Sequence, residues 1–186
     1  IAFGSMTDAI GDILAGRYTL EPRTMLATEV SGAGGHSSAT IALNDVALSK
    51  GASGRLIELV VQIDGQFVYD LRSDGLIVAT PTGSTAYALS SGGPIIQPTV
   101  PAFALVPICP HTLANRPIVI PDGSVVQVKL VSDTEGASLS SDGQVVVPLV
   151  KNDVVEVKKA KYRVRLIKHP TKDYYEILRT KLKWGN

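Results

Sequence analysis

The chain has 186 residues, 45% of them apolar, and a net charge of +1. That is enough chain for one core or slightly more, with the composition of a globular rather than a fibrous or disordered protein. No apolar run reaches the ~20 residues of a membrane-spanning helix, the start does not resemble a secretory leader, and the single cysteine, Cys109, excludes an internal disulfide. The expectation is a cytoplasmic protein with neither membrane nor nucleic acid as partner.

In chain order, residues 7–14 read as a short amphipathic helix capped by Thr7 or Asp8 and ended by Gly16. Strand-like runs then dominate: residues 25–30, 39–48, 56–63, 67–71, 76–79, 125–131 and 162–167. Residues 32–35, rich in Gly, read as a hairpin tip. Asp64-Gly65 and Asp142-Gly143 read as hairpin turns, and Asp122-Gly123 as another turn. Residues 161–166 alternate charge with apolar bulk, which predicts a half-buried strand with Tyr162, Val164 and Leu166 inward. Beyond it the period changes. Tyr174, Ile177, Leu178 and Leu182 fall at helical spacing, predicting a terminal helix over 173–184 with one apolar stripe. Residues 151–186 hold 11 of the 18 Lys and Arg but 4 of the 17 acids, a surplus of seven that reads as a solvated or docking face. The sum is a mainly β domain, a sandwich or open barrel, with three short helices.

Candidate chemistry concentrates in residues 74–94. Asp74-Gly75 precedes the apolar run Leu76-Ile77-Val78-Ala79, and then come Thr80-Pro81-Thr82-Gly83-Ser84-Thr85-Ala86-Tyr87. Small side chains let a ligand approach the backbone, and free N–H and hydroxyl groups suit a polar or anionic one. Thr85 and Ser90 offer hydroxyls, Ala86 leaves room, and Tyr87 can stack or donate. Asn44-Asp45 interrupts an apolar run. A carboxylate buried there without a partner is costly, so it sits either at a surface bulge or where it accepts paired ligand hydroxyls. Arg55 and Arg72 are surface arginines unless they neutralise phosphate. His111 has neither a nearby carboxylate nor a second His at ligand spacing, so no metal site or nucleophilic triad is assigned.

The string from Asp74 to Pro94 resembles the signature of the NAD kinase family, in which Asp-Gly leads a strand into Thr-Pro-Thr-Gly-Ser-Thr-Ala-Tyr. The resemblance implies a mainly β, sandwich-like C-terminal domain of the NAD kinase fold. Residues 1–20 would be a linker helix from an N-terminal domain, 21–168 the NAD-binding β domain, and 169–186 a helical tail that packs on the N-terminal α/β domain. It implies substrate contacts at Asn44, Asp45, Arg55, Arg72, Asp74, Thr82, Thr85, Ala86, Tyr87, Ala88, Leu89, Ser90, Cys109 and Gln144. The family carries Asn-Glu where this chain has Asn44-Asp45, a side chain longer by one methylene.

The implied reaction transfers the γ-phosphate of ATP, with Mg²⁺ or another divalent cation on the phosphates, to the 2′-hydroxyl of the NAD adenosine ribose, giving NADP. Homodimers or homotetramers are implied. Kinases of the family activate that hydroxyl with the Asp of a Gly-Gly-Asp-Gly motif. These 186 residues contain no such motif, so no catalytic residue is assigned and this chain alone is expected to turn NAD over little or not at all. A diacylglycerol-type lipid kinase domain and a non-enzymatic nucleotide-binding β module stand as alternatives.

Overall fold

A computed structural model describes residues 3–32, 37–51, 54–168 and 173–184. Beyond Gly32, the glycine-rich tip expected at 32–35 lies outside the described residues. The chain divides into two compact units, Thr24–Val164 and a smaller one made of Ile1–Arg23 with Arg165–Asn186.

The larger unit is built from two six-stranded sheets. The first runs in spatial order β3 (Ser37–Ala42), β2 (Leu26–Ser31), β13 (Val154–Lys159), β10 (Val126–Leu130), β5 (Ile57–Ile63) and β6 (Gln66–Ser73). The second runs β12 (Val145–Pro148), β11 (Ser138–Ser141), β4 (Asp45–Ser49), β7 (Gly75–Ala79), β8 (Ala102–Ile108) and β9 (Ile118–Pro121). Neighbouring strands pair antiparallel throughout both sheets. The mainly β sandwich expected from the sequence is what forms.

Alternation sets the core. In β2, Leu26, Thr28 and Val30 are buried while Glu29 and Ser31 are exposed, and β10 repeats the pattern with Val126, Val128 and Leu130. The apolar ones, Leu26, Val30, Val126, Val128 and Leu130, meet Val46, Leu48, Leu76, Val78, Phe103 and Leu105 of the second sheet in one cluster. The middle of the second sheet does not alternate. All five residues of β7 and the first six of β8 are buried, because this sheet is covered on its other face as well. The cover is α2 (Tyr87–Ser90) and the loop after it, whose Ala88 and Ile96 pack on Ala47, Ile77, Ala79, Ala104 and Val106.

The smaller unit holds α1 (Phe3–Leu14), a two-stranded sheet of β1 (Thr19–Arg23) with β14 (Val164–Lys168), and α3 (Tyr174–Leu182). The terminal helix is capped by Asp173, whose carboxylate accepts the Glu176 N–H at 2.7 Å, and it closes at Lys183 in a left-handed conformation. Among the described residues no helix is long and apolar enough to cross a membrane.

Four sequence expectations need correction. The helix at the start begins at Phe3, so Thr7 and Asp8 lie inside it rather than at its cap. The run 39–48 is two strands, β3 and β4, in different sheets, with the chain crossing between sheets at Leu43-Asn44. The strand around 162–167 is not half-buried. It pairs with β1 in a separate two-stranded sheet, and Tyr162 and Leu166 are exposed. Finally, β1, β8, β9 and β13 were not anticipated. In β8 the obstacle was Pro107, which argues against a central strand. The register resolves it: β9 pairs with residues 102–105 only, so Pro107 lies where β8 has a partner on one side.

Candidate dinucleotide site

Asn44 and Asp45 sit where the chain leaves one sheet and enters the other. A crossover has no ladder to satisfy its amides, and Asp142 supplies the acceptors. One oxygen of its carboxylate accepts the Leu43 N–H at 2.7 Å. The other accepts from Asn44 at 2.7 Å and from Asp45 at 3.1 Å. Asp142 returns its own N–H to the Asp45 carbonyl at 2.9 Å. It can do this because Asp142-Gly143 forms the expected hairpin turn between β11 and β12, with φ of 50° and 65°. Gln144 closes that turn through its N–H to Ser141 O at 3.0 Å and is exposed. Thr40 and Ser141 hydroxyls, 2.6 Å apart, tie β3 to β11 next to it.

The small-residue loop lies against the same crossover. Thr80, fully buried, donates its N–H to Asn44 O at 2.9 Å and its hydroxyl to Leu43 O at 2.6 Å. Its hydroxyl in turn accepts the Gly83 N–H at 3.1 Å. Gly83 must be glycine, since a Cβ there would stand 2.0 Å from Asn44 O and 2.3 Å from Asn44 C. A single 3-10 turn, Gly83–Thr85, then leads into α2. Ser84 anchors it from inside: its hydroxyl donates to Pro81 O at 2.6 Å and accepts the Ile96 N–H at 3.0 Å. Thr82, Thr85, Ala86 and Leu89 are half-buried and Tyr87 and Ser90 exposed, so this face is open to a ligand. Ala88 is different. Its side chain is fully buried in the second apolar cluster, so packing rather than ligand contact accounts for it.

Asp45 is only 6% exposed. Burial, and then the like charge of Asp142, push its carboxyl up to about 6. No such shift attends a hydrogen-bonded surface carboxylate. The surface-bulge reading of this position fails, and what stands there is a desolvated carboxylate at a kink.

The remaining expected site residues lie elsewhere. Ser49, at the far end of β4, pairs with Gly75, which also pairs with Ile108. Asp74 and Cys109, one residue beyond that level, therefore sit about 17 Å along the strand from Asp45, at ~3.4 Å per residue. Asp74 forms an ion pair with Lys50 at 2.6 Å, and Cys109 is exposed with φ of 44°. Arg72 and Asp74 do not share a strand face. The strand ends at Ser73, whose hydroxyl accepts the Gly75 N–H and bends the chain. Arg72 is exposed beside Glu58, at 3.8 Å, and its carbonyl accepts the His111 N–H at 2.9 Å, which ties 107–111 to this corner. Arg55 lines an open cavity of about 760 Å³ with Asp133, Thr134, Glu135 and Lys151. Register places that cavity at this far end too, since Ser138 pairs with both Ser49 and Pro148.

Sequence reasoning missed Thr80, Ser84, Asp142 and Lys50. Each looked ordinary for its place, two hydroxyls in a turn, a hairpin Asp and a surface Lys, and the partners of Asp142 are 97–99 residues away. Among the described residues no three His, Cys, Asp or Glu side chains gather as a metal site.

The larger unit is thus an antiparallel two-sheet β sandwich with a desolvated carboxylate beside a small-residue loop. Residues 43–169 match the family model described as ATP-NAD kinase C-terminal domain. The chain belongs to that family. Proteins named NAD kinase from Syntrophotalea carbinolica and Thiobacillus denitrificans are 44% and 46% identical to it over 185 residues. Those alignments take in 100% of this chain but 65% and 63% of the relatives, so the chain spans less than two thirds of their length. A crystal structure of yeast NADH kinase complexed with NADH superposes with a TM-score of 0.92 at 29% identity, covering 99% of this chain and 56% of that one. An NAD kinase from Archaeoglobus fulgidus in complex with ATP shares the fold, with a TM-score of 0.77 at 24% identity over 95% of this chain and 66% of that one.

Proposed function

We propose that this chain forms the dinucleotide-binding part of an NAD kinase, which phosphorylates the 2′-hydroxyl of the NAD adenosine ribose with ATP. One observation carries the reading: the Asn44-Asp45 crossover and the loop from Thr80 to Ser90 are hydrogen-bonded into a single site. An ionised Asp45 accepts two adjacent ribose hydroxyls. The hydroxyls of Thr85 and Ser90 and the exposed ring of Tyr87, on the loop bonded to that crossover, would contact the same ligand. Family membership, and a structural relative that holds NADH, support a dinucleotide over other polar ligands.

Among the described residues no cluster of His, Cys, Asp or Glu cages a divalent cation; an ion serving this reaction would ride on the nucleotide phosphates and waters. Such an ion would neutralise phosphate charge during transfer. No residue described here takes the part of the Gly-Gly-Asp-Gly aspartate, so activation of the 2′-hydroxyl falls to a group outside this set. Self-association fits the exposed Val145 and Val146 on the edge strand β12 and Val119 on the opposite edge, β9. A lone exposed cysteine suits a reducing, cytoplasmic setting.

Calorimetric titration of the protein with NAD tests the reading. Binding should be saturable, and Asp45→Ala and Tyr87→Ala should each weaken it about tenfold or more, as loss of a charged hydrogen bond or a stacked ring does. Unchanged binding in both variants would remove the site. Robust NADP formation by this chain with ATP would contradict the assignment of the activating group elsewhere.

A further inference from the structure

The Asp142 carboxylate is the hub of the site, yet nothing in the substrate-binding reading uses it. It spends both oxygens on three consecutive main-chain N–H groups, those of Leu43, Asn44 and Asp45. These three amides lie where the chain changes sheets, and each is answered by this one carboxylate. Leaving them unsatisfied would be costly. A neutral side chain could cap one or two of them. Only an anion answers three at once with charge-assisted bonds. The carboxylate is delivered by a rigid turn whose Asp142 N–H also closes on Asp45 O.

We propose that Asp142 is a positioning residue for dinucleotide binding: it fixes the crossover so that Asn44 and Asp45 are presented together to the ligand, and it holds a second negative charge against Asp45. The proposal rests on the reading of Asn44-Asp45 as a dinucleotide site.

The second clause has a consequence of its own. Asp45 is flanked by Ala79 on β7 and by Asp142 just beyond β11, whose Ser138, Leu139, Ser140 and Ser141 pair with β4, while β2 turns Leu26, Thr28 and Val30 inward. Of these only Asp142 titrates, and its charge adds to burial in opposing ionisation of Asp45. Asp142 therefore shapes the site and, after burial, raises the pH at which the Asp45 carboxylate ionises.

The variant is Asp142→Asn. Asn tolerates the left-handed φ of 50° at this turn, and it keeps one acceptor while losing the charge and the second acceptor. Three measurements are made on the protein. First, hydrogen exchange of the Leu43, Asn44 and Asp45 amides in the wild type should be slowed about 100-fold or more relative to open loop amides. Free exchange there overturns the clamp whether or not the variant folds. Second, the Asp45 carboxyl is followed by carbon NMR without ligand. It should titrate near 6 in the wild type and at lower pH in Asp142→Asn; an unmoved titration overturns the electrostatic role. Third, NAD affinity is measured against pH. In the wild type it should fall as pH drops through about 6. In the variant it should be about tenfold weaker at pH 8, with its fall displaced to lower pH. If Asp45→Ala weakens NAD binding but Asp142→Asn does not, the positioning role is wrong while the site stands. If neither weakens it, the site and the positioning role fall together, and the first two measurements still report whether the clamp exists.

Discussion

Asp45 gives an unusual stability prediction, because the group that serves the ligand opposes the fold. Its carboxyl is raised from 3.8 to about 6 by burial and by Asp142. In the native state it therefore binds a proton more tightly than in the unfolded chain. Stability from this group is full below about pH 4, declines as pH rises, and is gone above about 6. At ~1.4 kcal/mol per unit, a shift of about two units corresponds to at most about 3 kcal/mol, and relaxation around the buried charge brings it to roughly 2 kcal/mol. Asp45→Asn keeps the size and removes the charge. Unliganded, the variant should melt about 4–8 °C higher than wild type at pH 8, at ~2–4 °C per kcal/mol for a chain this long. The difference should vanish by about pH 4. Differential scanning calorimetry at half-unit steps from pH 4 to pH 8 measures it. The reasoning is refuted if the two melting curves stay parallel across that range, or if Asp45→Asn is the less stable protein at pH 8.

Gly83→Ala forces a Cβ to 2.0 Å from a main-chain oxygen, so the loop must move off the crossover. A destabilisation of about 2–3 kcal/mol is expected, read as a fall in melting temperature together with weaker NAD binding. Tyr87 is 47% exposed, and Tyr87→Ala should leave the melting temperature nearly unchanged while NAD affinity falls in calorimetry. Phe103 is fully buried between the sheets, and Phe103→Ala should lose about 3–5 kcal/mol in urea unfolding. Asp173→Ala removes the cap of α3 and should cost about 1 kcal/mol, visible as faster amide exchange in its first turn.

The sequence carried the architecture further than the detail. Alternation in β2, β5 and β10 and the turns at Asp64-Gly65 and Asp142-Gly143 were legible because they are local: a period of two, and residues that tolerate left-handed φ. What escaped was whatever depends on distant chain. Residues 39–48 read as one strand because the amides at their break are satisfied by a carboxylate 97–99 residues later. Pro107 hid a central strand because the length of β9 is invisible from β8. The loop at 80–90 was legible as a site through its run of small residues, and its resemblance to a known signature named the ligand class. Its internal logic was not legible. Ala88 turns into the core, and Thr80 and Ser84, unremarkable in the string, hold the loop in place. The separation of Asp74, Arg72 and Cys109 from Asp45 follows from strand register, which no local pattern encodes.

The central claim is that Asn44, Asp45 and the loop 80–90 form one dinucleotide site. Amide chemical-shift mapping of the ¹⁵N-labelled protein at saturating NAD tests it most directly. The account predicts that the largest perturbations fall on Asn44, Asp45, Thr82, Thr85, Tyr87, Ser90 and Gln144, at one end of the second sheet. Perturbations confined to the Arg55–Lys151 cavity at the other end, or none at saturation, would contradict it.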